Sequence, residues 1–415
     1  MNRDFFIENR KNIINIIEDN SLIVLFSGDL VKKSADEKYS YSVNKNFYYL
    51  SGIEEKSIAI MLGKVNGNII EKVFLKTPDL QMEKWVGKTL RKEEAISLSG
   101  VEDIDYVENL NSVIHRYICD QNVSTFYFDL EKDSFEDIHT KTELYALEIK
   151  SKYPQVTVKN IFGEISKLRS VKHPEEVEKI KNAIDITQKG IEFIMKKSKP
   201  DMKEYQLEAY FDFVCKTEGA KELAFKTIAA SGINATILHY EKNDSIMKNN
   251  DLIMFDLGAK YEHYNADISR TFPINGKFTP RQREVYEAVL RVNEKIISEM
   301  KPGVNHSNIQ LLARDLIAEE CIKLGLITDK KDVVNYYWHG IGHPLGLDTH
   351  DVYYGKGIIL KEGMVYTVEP GIYIEEENIG IRIEDDVVIT KEGCENLSKN
   401  IIKTVEDIEK FMEEI

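Results

Sequence analysis

Phe255-Asp-Leu-Gly-Ala-Lys-Tyr-Glu-His-Tyr-Asn-Ala-Asp-Ile-Ser-Arg-Thr-Phe272 is the stretch on which the fold of this chain turns. It holds two aspartates, Asp256 and Asp267, eleven positions apart. Side chains on a strand alternate faces with a period of two, so an odd separation cannot put both on one face of a single flat strand. A turn at Glu262-His-Tyr-Asn265 removes the conflict, because a hairpin brings both carboxylates to one point. The same logic applies further on, where Glu369 and Glu384 lie fifteen apart with Glu375-Glu-Glu-Asn378 as the turn. There Ile381 and Ile383 alternate with Arg382 and Glu384, so Arg382 and Glu384 share a face. Two hairpins, each offering two carboxylates, form a loose echo of two related halves.

Between them lies Trp338-His-Gly-Ile-Gly-His343-Pro-Leu-Gly-Leu-Asp-Thr-His350, which packs His339, His343 and His350 into a short span of a chain with nine histidines. Four converging carboxylates cannot all stay ionised unaided, since like charges raise one another's pKa. Two divalent cations would balance them. Asp256, Asp267, His343, Glu369 and Glu384 are the candidate ligands. One imidazole among four carboxylates is an oxygen-rich set, which favours Mn²⁺ and admits Co²⁺, Zn²⁺ or Fe²⁺. Two such ions activate water at neutral pH, which points to a metallohydrolase.

The rest of the chain sets bounds. Its 415 residues predict two or three domains at ~150 residues each. With 42% hydrophobic and 30% charged residues it has an ordinary globular composition. A net charge of −15 argues against a nucleic-acid partner, because phosphate contacts need a Lys/Arg surface. Cys119, Cys215, Cys321 and Cys394 are isolated, as expected of core cysteines in a reducing compartment. Met1-Asn-Arg-Asp-Phe-Phe-Ile-Glu8 has no apolar signal region, and no apolar run approaches the ~20 residues of a membrane span. The expectation is a cytoplasmic protein without a membrane partner.

Residues 1–160 read as an α/β domain. Ser21–Ser27, Ser57–Leu62, Lys72–Leu75 and Phe126–Leu130 are predicted strands between charged, helix-forming stretches. Pro174 opens a helix whose stripe is Val177, Ile180, Ile184, Ile191 and Ile194. Thr279-Pro-Arg-Gln282 is a capping box that starts a long helix running to Pro302-Gly303. Another helix is expected from about Ser307 to near Gly325. The second domain is taken as residues 161–415.

These segments together resemble the pita-bread metallopeptidases: aminopeptidase P, prolidase and methionine aminopeptidase. The resemblance rests on Ile237-Leu-His-Tyr240, Asp267-Ile-Ser-Arg-Thr-Phe272, Glu369-Pro-Gly371 and Arg382-Ile-Glu384, in the family's order. Leu168-Arg-Ser-Val-Lys172 looks like the start of the catalytic domain. Lys33–Tyr39, Asn46-Phe-Tyr-Tyr-Leu-Ser-Gly52 and Met82-Glu-Lys-Trp85-Val-Gly87 look like the N-terminal domain of aminopeptidase P and its prolidase relatives.

The resemblance implies that Asp256 binds one metal, that Asp267 and Glu384 bridge both, and that His343 and Glu369 complete the other. It implies a hydroxide bridging the metals that attacks the Xaa-Pro bond, with Glu369 relaying a proton to the leaving nitrogen. His339 and His350 would contact substrate and steady the tetrahedral intermediate. His239 would line the pocket, Arg382 would support a ligand carboxylate, and Trp85 would reach a neighbouring subunit's site. The implied substrate is a peptide with proline second, and the implied assembly a homodimer or larger homo-oligomer. Phe225 departs from the pattern, standing where relatives often carry a tyrosine near the metals. His263 is expected in the hairpin turn rather than on a metal, and His115, His139, His173 and His306 in structural or surface positions. The alternatives are a prolidase acting on Xaa-Pro dipeptides and an inactive peptide-binding scaffold of the same fold.

Overall fold

The computed structural model describes residues 1–353, 355 and 357–413. The chain divides into two compact units, Met1–Arg169 and Ser170–Ile415.

In the first unit a six-stranded sheet runs in the order Ile104–Tyr106, Asn68–Leu75, Ala59–Val65, Ser21–Phe26, Thr125–Phe128, Thr157–Asn160. Its middle junctions are antiparallel and its outer ones parallel. Ser21–Phe26 is buried along nearly its whole length, as its unbroken apolar run requires of a strand covered on both faces. Leu22, Val24, Phe126 and Phe128 pack with Val113 and Ile114 of helix Leu110–Asp120 and with Ala146 and Ile149 of helix Lys141–Lys152. Ile104–Tyr106 and Thr157–Asn160 are strands that the sequence pattern did not mark, because both are short and only partly buried.

The second unit is built on two broken hairpins. Leu252–Leu257 pairs antiparallel with Ile268–Pro273, with Asp256 opposite Ser269. Beyond Leu257 the hairpin leaves that ladder and forms a smaller one, Ala259–Tyr261 with Tyr264–Asn265. Glu262 and His263 turn it, both at positive φ (45° and 76°), so His263 sits in the turn as expected. The other hairpin repeats the construction. Val365–Val368 pairs with Asp385–Ile389, and Gly371–Ile374 pairs separately with Ile379–Arg382. Glu375–Glu377 and Asn378, at φ 53°, make its turn. Asp267, Glu369 and Glu384 all stand at the breaks between ladders rather than inside strands.

The hairpins are stitched together: Glu384 N–H donates to Ser269 O at 3.1 Å, and Thr271 Oγ1 donates to Arg382 O at 3.2 Å. Helices flank them. Pro174–Lys197 lays Ile180, Ile184, Ile191 and Ile194 into the core beside the small ladder of the first hairpin. Pro280–Glu299 is capped by Thr279, whose side chain accepts from Gln282 N–H. It ends three residues short of Pro302, and Asn293 Nδ2 donates from it to Val368 O and Ile383 O. His306–Lys323 packs against it after a short connection.

Candidate active site

The breaks in the two hairpins open onto one cavity of about 470 Å³. Asp256, Asp267, His343, Glu369 and Glu384 all line it, with His239, His339, His350, Arg382 and Phe225. His343 arrives on an extended segment that runs beside Val365–Val368. Leu345 N–H donates to Val365 O, Thr367 N–H to His343 O and Glu369 N–H to Ile341 O. That pairing carries the imidazole to the carboxylates: His343 Nε2 is 3.3 Å from Asp267 Oδ2 and 3.8 Å from Glu369 Oε1.

Single donor atoms of Asp267, His343 and Glu384 lie within 4.8 Å of one another. His343 Nδ1 donates to Pro344 O at 3.0 Å, which leaves Nε2 with its lone pair facing the acids. Asp256 Oδ1 is buried with no hydrogen-bond partner. A buried carboxylate oxygen without a donor is costly, and a cation satisfies it. The donor set thus fits divalent metal.

The electrostatics agree. Burial first, then the charges of Glu384 and Asp256, push Asp267 well above the carboxylate range. Burial and then Glu384 do the same to Glu369. Glu384 is pushed up to about 8 by burial and by Asp256. Asp386, which accepts from Asp267 N–H at 3.1 Å, is also raised well above its usual value by burial.

Arg382 organises the wall. Its Nη2 lies 2.5 Å from Asp256 Oδ2, its Nε donates to Ser269 Oγ at 2.7 Å, and its Nη1 donates to the Tyr373 hydroxyl at 3.3 Å. Ser269 in turn donates to Glu384 Oε2 at 2.8 Å. Tyr373 lies 2.8 Å from His339 Nε2, whose Nδ1 is 2.7 Å from Gly340 O. Only a donor at Nδ1 satisfies the carbonyl, so Nε2 accepts from the phenol. Burial and the nearby Arg382 charge push His339 down to about 3, so it is neutral at physiological pH. His343, lowered to about 4 chiefly by burial, is neutral too.

All the sequence-derived site residues of the second unit meet at this cavity. Trp85 belongs to the first unit, 85% exposed on the short helix Glu83–Val86, which rules out core packing for it. Tyr373 and Ser269 had not been singled out. Ser269 and Thr271 follow Asp267 at the period of two, so that alternation could have flagged them.

Comparisons with known proteins agree with this geometry. The profile "Metallopeptidase family M24" matches residues 178–391, and "Aminopeptidase P, N-terminal domain" matches residues 6–127. The Xaa-Pro aminopeptidase of Escherichia coli is 32% identical, covering 99% of this chain and 98% of its own length. Human Xaa-Pro aminopeptidase 3 is 31% identical over 94% of this chain and 80% of its own. A structure described as a putative aminopeptidase P from Bacillus anthracis superposes with a TM-score of 0.98 at 46% identity, covering 100% of this chain and 99% of that one. Zn-substituted E. coli aminopeptidase P in complex with product superposes at 0.91 and 32% identity, with the same coverage. Fold and site therefore define a metallopeptidase, a hydrolase of pita-bread architecture. Both profiles fall on this one chain, the N-terminal one first, and the E. coli relative aligns with it over nearly its whole length. The chain belongs to metallopeptidase family M24, in its aminopeptidase P group.

Proposed function

We propose that this enzyme releases the N-terminal residue from peptides whose second residue is proline. The observation that carries this reading is the convergence of Asp256, Asp267, His343, Glu369 and Glu384 on one cavity, in a chain 32% identical along 99% of its length to an Xaa-Pro aminopeptidase. Those five residues would hold two divalent ions, with Mn²⁺ preferred for its oxygen-rich set. When bound, such ions ionise water near neutral pH and polarise the scissile carbonyl.

The chain's own groups supply the rest. The leaving proline nitrogen carries no hydrogen and needs a proton delivered. Glu369 is assigned that delivery as the cavity carboxylate whose oxygens lie 3.8 Å from His343 Nε2 and 3.6 Å from His339 Nδ1. His350 faces the cavity as the donor toward the carbonyl oxygen. His339 is assigned contact with the peptide through its ring, its N–H being spent on Gly340 O and its Nε2 on the Tyr373 hydroxyl, and His239 lines the cavity. Arg382 fixes Asp256 and, through Ser269, Glu384. Phe225 presents an apolar wall where a tyrosine hydroxyl would otherwise stand. Trp85 is assigned to a neighbouring subunit's site in a homodimer or larger homo-oligomer, which its exposure permits. A cytoplasmic location accords with four free cysteines; no helix of the described residues is long and apolar enough to cross a membrane.

A prolidase would need a cation free to hold the carboxylate of a dipeptide. Lys226 reaches the cavity but is paired with Glu241 at 3.1 Å, and Arg382 is committed to Asp256. The Lys226 pair is exposed and weak, so it is the full-length likeness to an Xaa-Pro aminopeptidase that favours longer peptides. The test is a length series, Xaa-Pro against Xaa-Pro-Yaa and longer, on metal-stripped enzyme reloaded with Mn²⁺. Hydrolysis of dipeptides alone would assign a prolidase. Full metal loading with no hydrolysis of any member would leave only the scaffold reading.

A further inference from the structure

The segment Leu168-Arg-Ser-Val-Lys172 leads into the second unit, and its lysine does something the reaction described above does not use. Lys172 Nζ lies 2.8 Å from Asp351 Oδ2, with side-chain exposures of 1% and 0%. Burying such a pair costs desolvation that apolar residues of equal volume would not incur, so stability alone does not account for it. Asp351 follows His350 directly. His350 is exposed to the cavity, while Asp351 is buried beneath it.

The pair sits where three segments close on one another. Asp351 N–H donates to Pro344 O at 2.9 Å, closing the loop that carries His343 at one end and His350 at the other. Asn265, two residues before Asp267, donates to Gly346 O from its backbone at 3.0 Å and from its side chain at 3.1 Å. Lys172 N–H donates to Gly363 O at 2.9 Å. A Cβ on Gly346 would lie 2.4 Å from Asp351 Oδ2 and 3.0 Å from Lys172 Cε, so the loop is wrapped tightly around the pair. At its surface the His350 ring stands edge-on to His343, centroids 4.3 Å apart at 74°.

We propose that the Lys172–Asp351 pair is a positioning device that fixes the register of the 344–351 loop and so the placement of His350 against His343. A directional, charged contact stops the loop at one point, where apolar side chains would let it slide. Misplacement by about 1 Å is enough to cost on the order of 10²-fold in rate. The inference rests on the proposed reading of His350 as a substrate-facing group.

The test replaces the pair with apolar residues, Lys172→Met together with Asp351→Leu, in the metal-loaded enzyme. The double variant is expected to melt near the wild-type temperature and to bind the same amount of metal. Its kcat should fall by about tenfold or more. In protein labelled with ¹³C-histidine, the His350 ring signal, identified by its loss in His350→Gln, should move. A wild-type His350 signal overturns the proposal whatever the rate does. If the double variant does not fold, Asp351→Glu takes its place. It keeps the charge and lengthens the arm, so the His350 signal should shift, and an unshifted signal is again fatal. If wild-type enzyme hydrolyses no Xaa-Pro peptide, the proposed function fails while the spectroscopic arm still decides the positioning role.

Discussion

Arg382 Nη2 meets Asp256 Oδ2 at 2.5 Å, although the two residues are 126 positions apart. The contact is nearly closed to solvent, with side-chain exposures of 4% and 16%. It leaves Asp256 Oδ1 as the oxygen with no donor of its own. In the proposed metal site, Arg382 would therefore set which oxygen of Asp256 is available to a cation. Its planar head also reaches Ser269 and Tyr373, which a lysine's single ammonium cannot do together. Arg382→Lys is expected to lower kcat by about 10- to 100-fold, the usual cost of losing an outer partner of a ligand. Metal content per chain, measured alongside turnover, should fall less than activity; wild-type turnover in this variant would remove Arg382 from the catalytic wall.

Glu369 carries two proposed duties, ligand and proton carrier, and they separate experimentally. Its Oε1 is 3.8 Å from His343 Nε2 and its Oε2 is 3.6 Å from His339 Nδ1. Glu369→Gln keeps one oxygen donor and loses the exchangeable proton. Turnover of an Xaa-Pro-Yaa peptide should drop by about 10²-fold or more while metal is retained. Undiminished turnover at full metal content would rule out the proton role.

The sequence marked the five residues that meet at the cavity, their order and the two turns, because an odd spacing keeps two carboxylates off one face of a single flat strand and a hairpin is the short way to bring them together. It also carried the helices at Pro174 and Thr279, where proline and a capping box leave a local signature. The breaks were not legible. Asp267, Glu369 and Glu384 stand where one ladder gives way to another, and that depends on pairing between hairpins more than 100 residues apart, as in the Ser269–Glu384 contact. Tyr373 and Asp351 were missed for the same reason. Tyr373 looks like an ordinary core aromatic and Asp351 like an ordinary loop acid until their distant partners, His339 and Lys172, are placed.

One such break tests the fold directly. Gly258 follows Leu257 at the point where the first hairpin changes ladders. A Cβ there would lie 1.8 Å from the carbonyl oxygen of Ala266, which is backbone and has nowhere to go. Gly258→Ala must open the hairpin between Asp256 and Asp267. It is expected to cost about 1–3 kcal/mol or more, as overpacking does, and to weaken metal binding as well. Gly393→Ala is the control, because a Cβ at that position would meet nothing within 4 Å; it should stay within about 0.5 kcal/mol of wild type. Chemical denaturation of both measures the contrast, and equal midpoints would mean that the strand crossing is not tight in solution.

Proton uptake gives the last prediction. In the metal-free protein Asp267 and Glu369 are raised well above the carboxylate range and Glu384 to about 8, so at pH 7 the folded site holds protons that the unfolded chain does not. Where the native state binds more protons, stability falls as pH rises. Metal-free enzyme should therefore lose stability from about pH 4.5, the unfolded carboxylate range, up to about pH 8. Metal replaces those protons, so loading should release about one or more per chain at pH 7. His343, already neutral near pH 7, contributes none of them. Calorimetric titration with Mn²⁺ in two buffers of different ionisation enthalpy measures the release as the difference in observed heat, and metal affinity should rise with pH. Part of the stability slope should survive loading. Glu176, pushed up to about 7 by burial away from the ligands, has the same sign, and Glu176→Gln should remove its share. Identical heats in both buffers at pH 7 would show that Asp267, Glu369 and Glu384 are already ionised in the folded metal-free protein, and that charge crowding does not hold protons in this cavity.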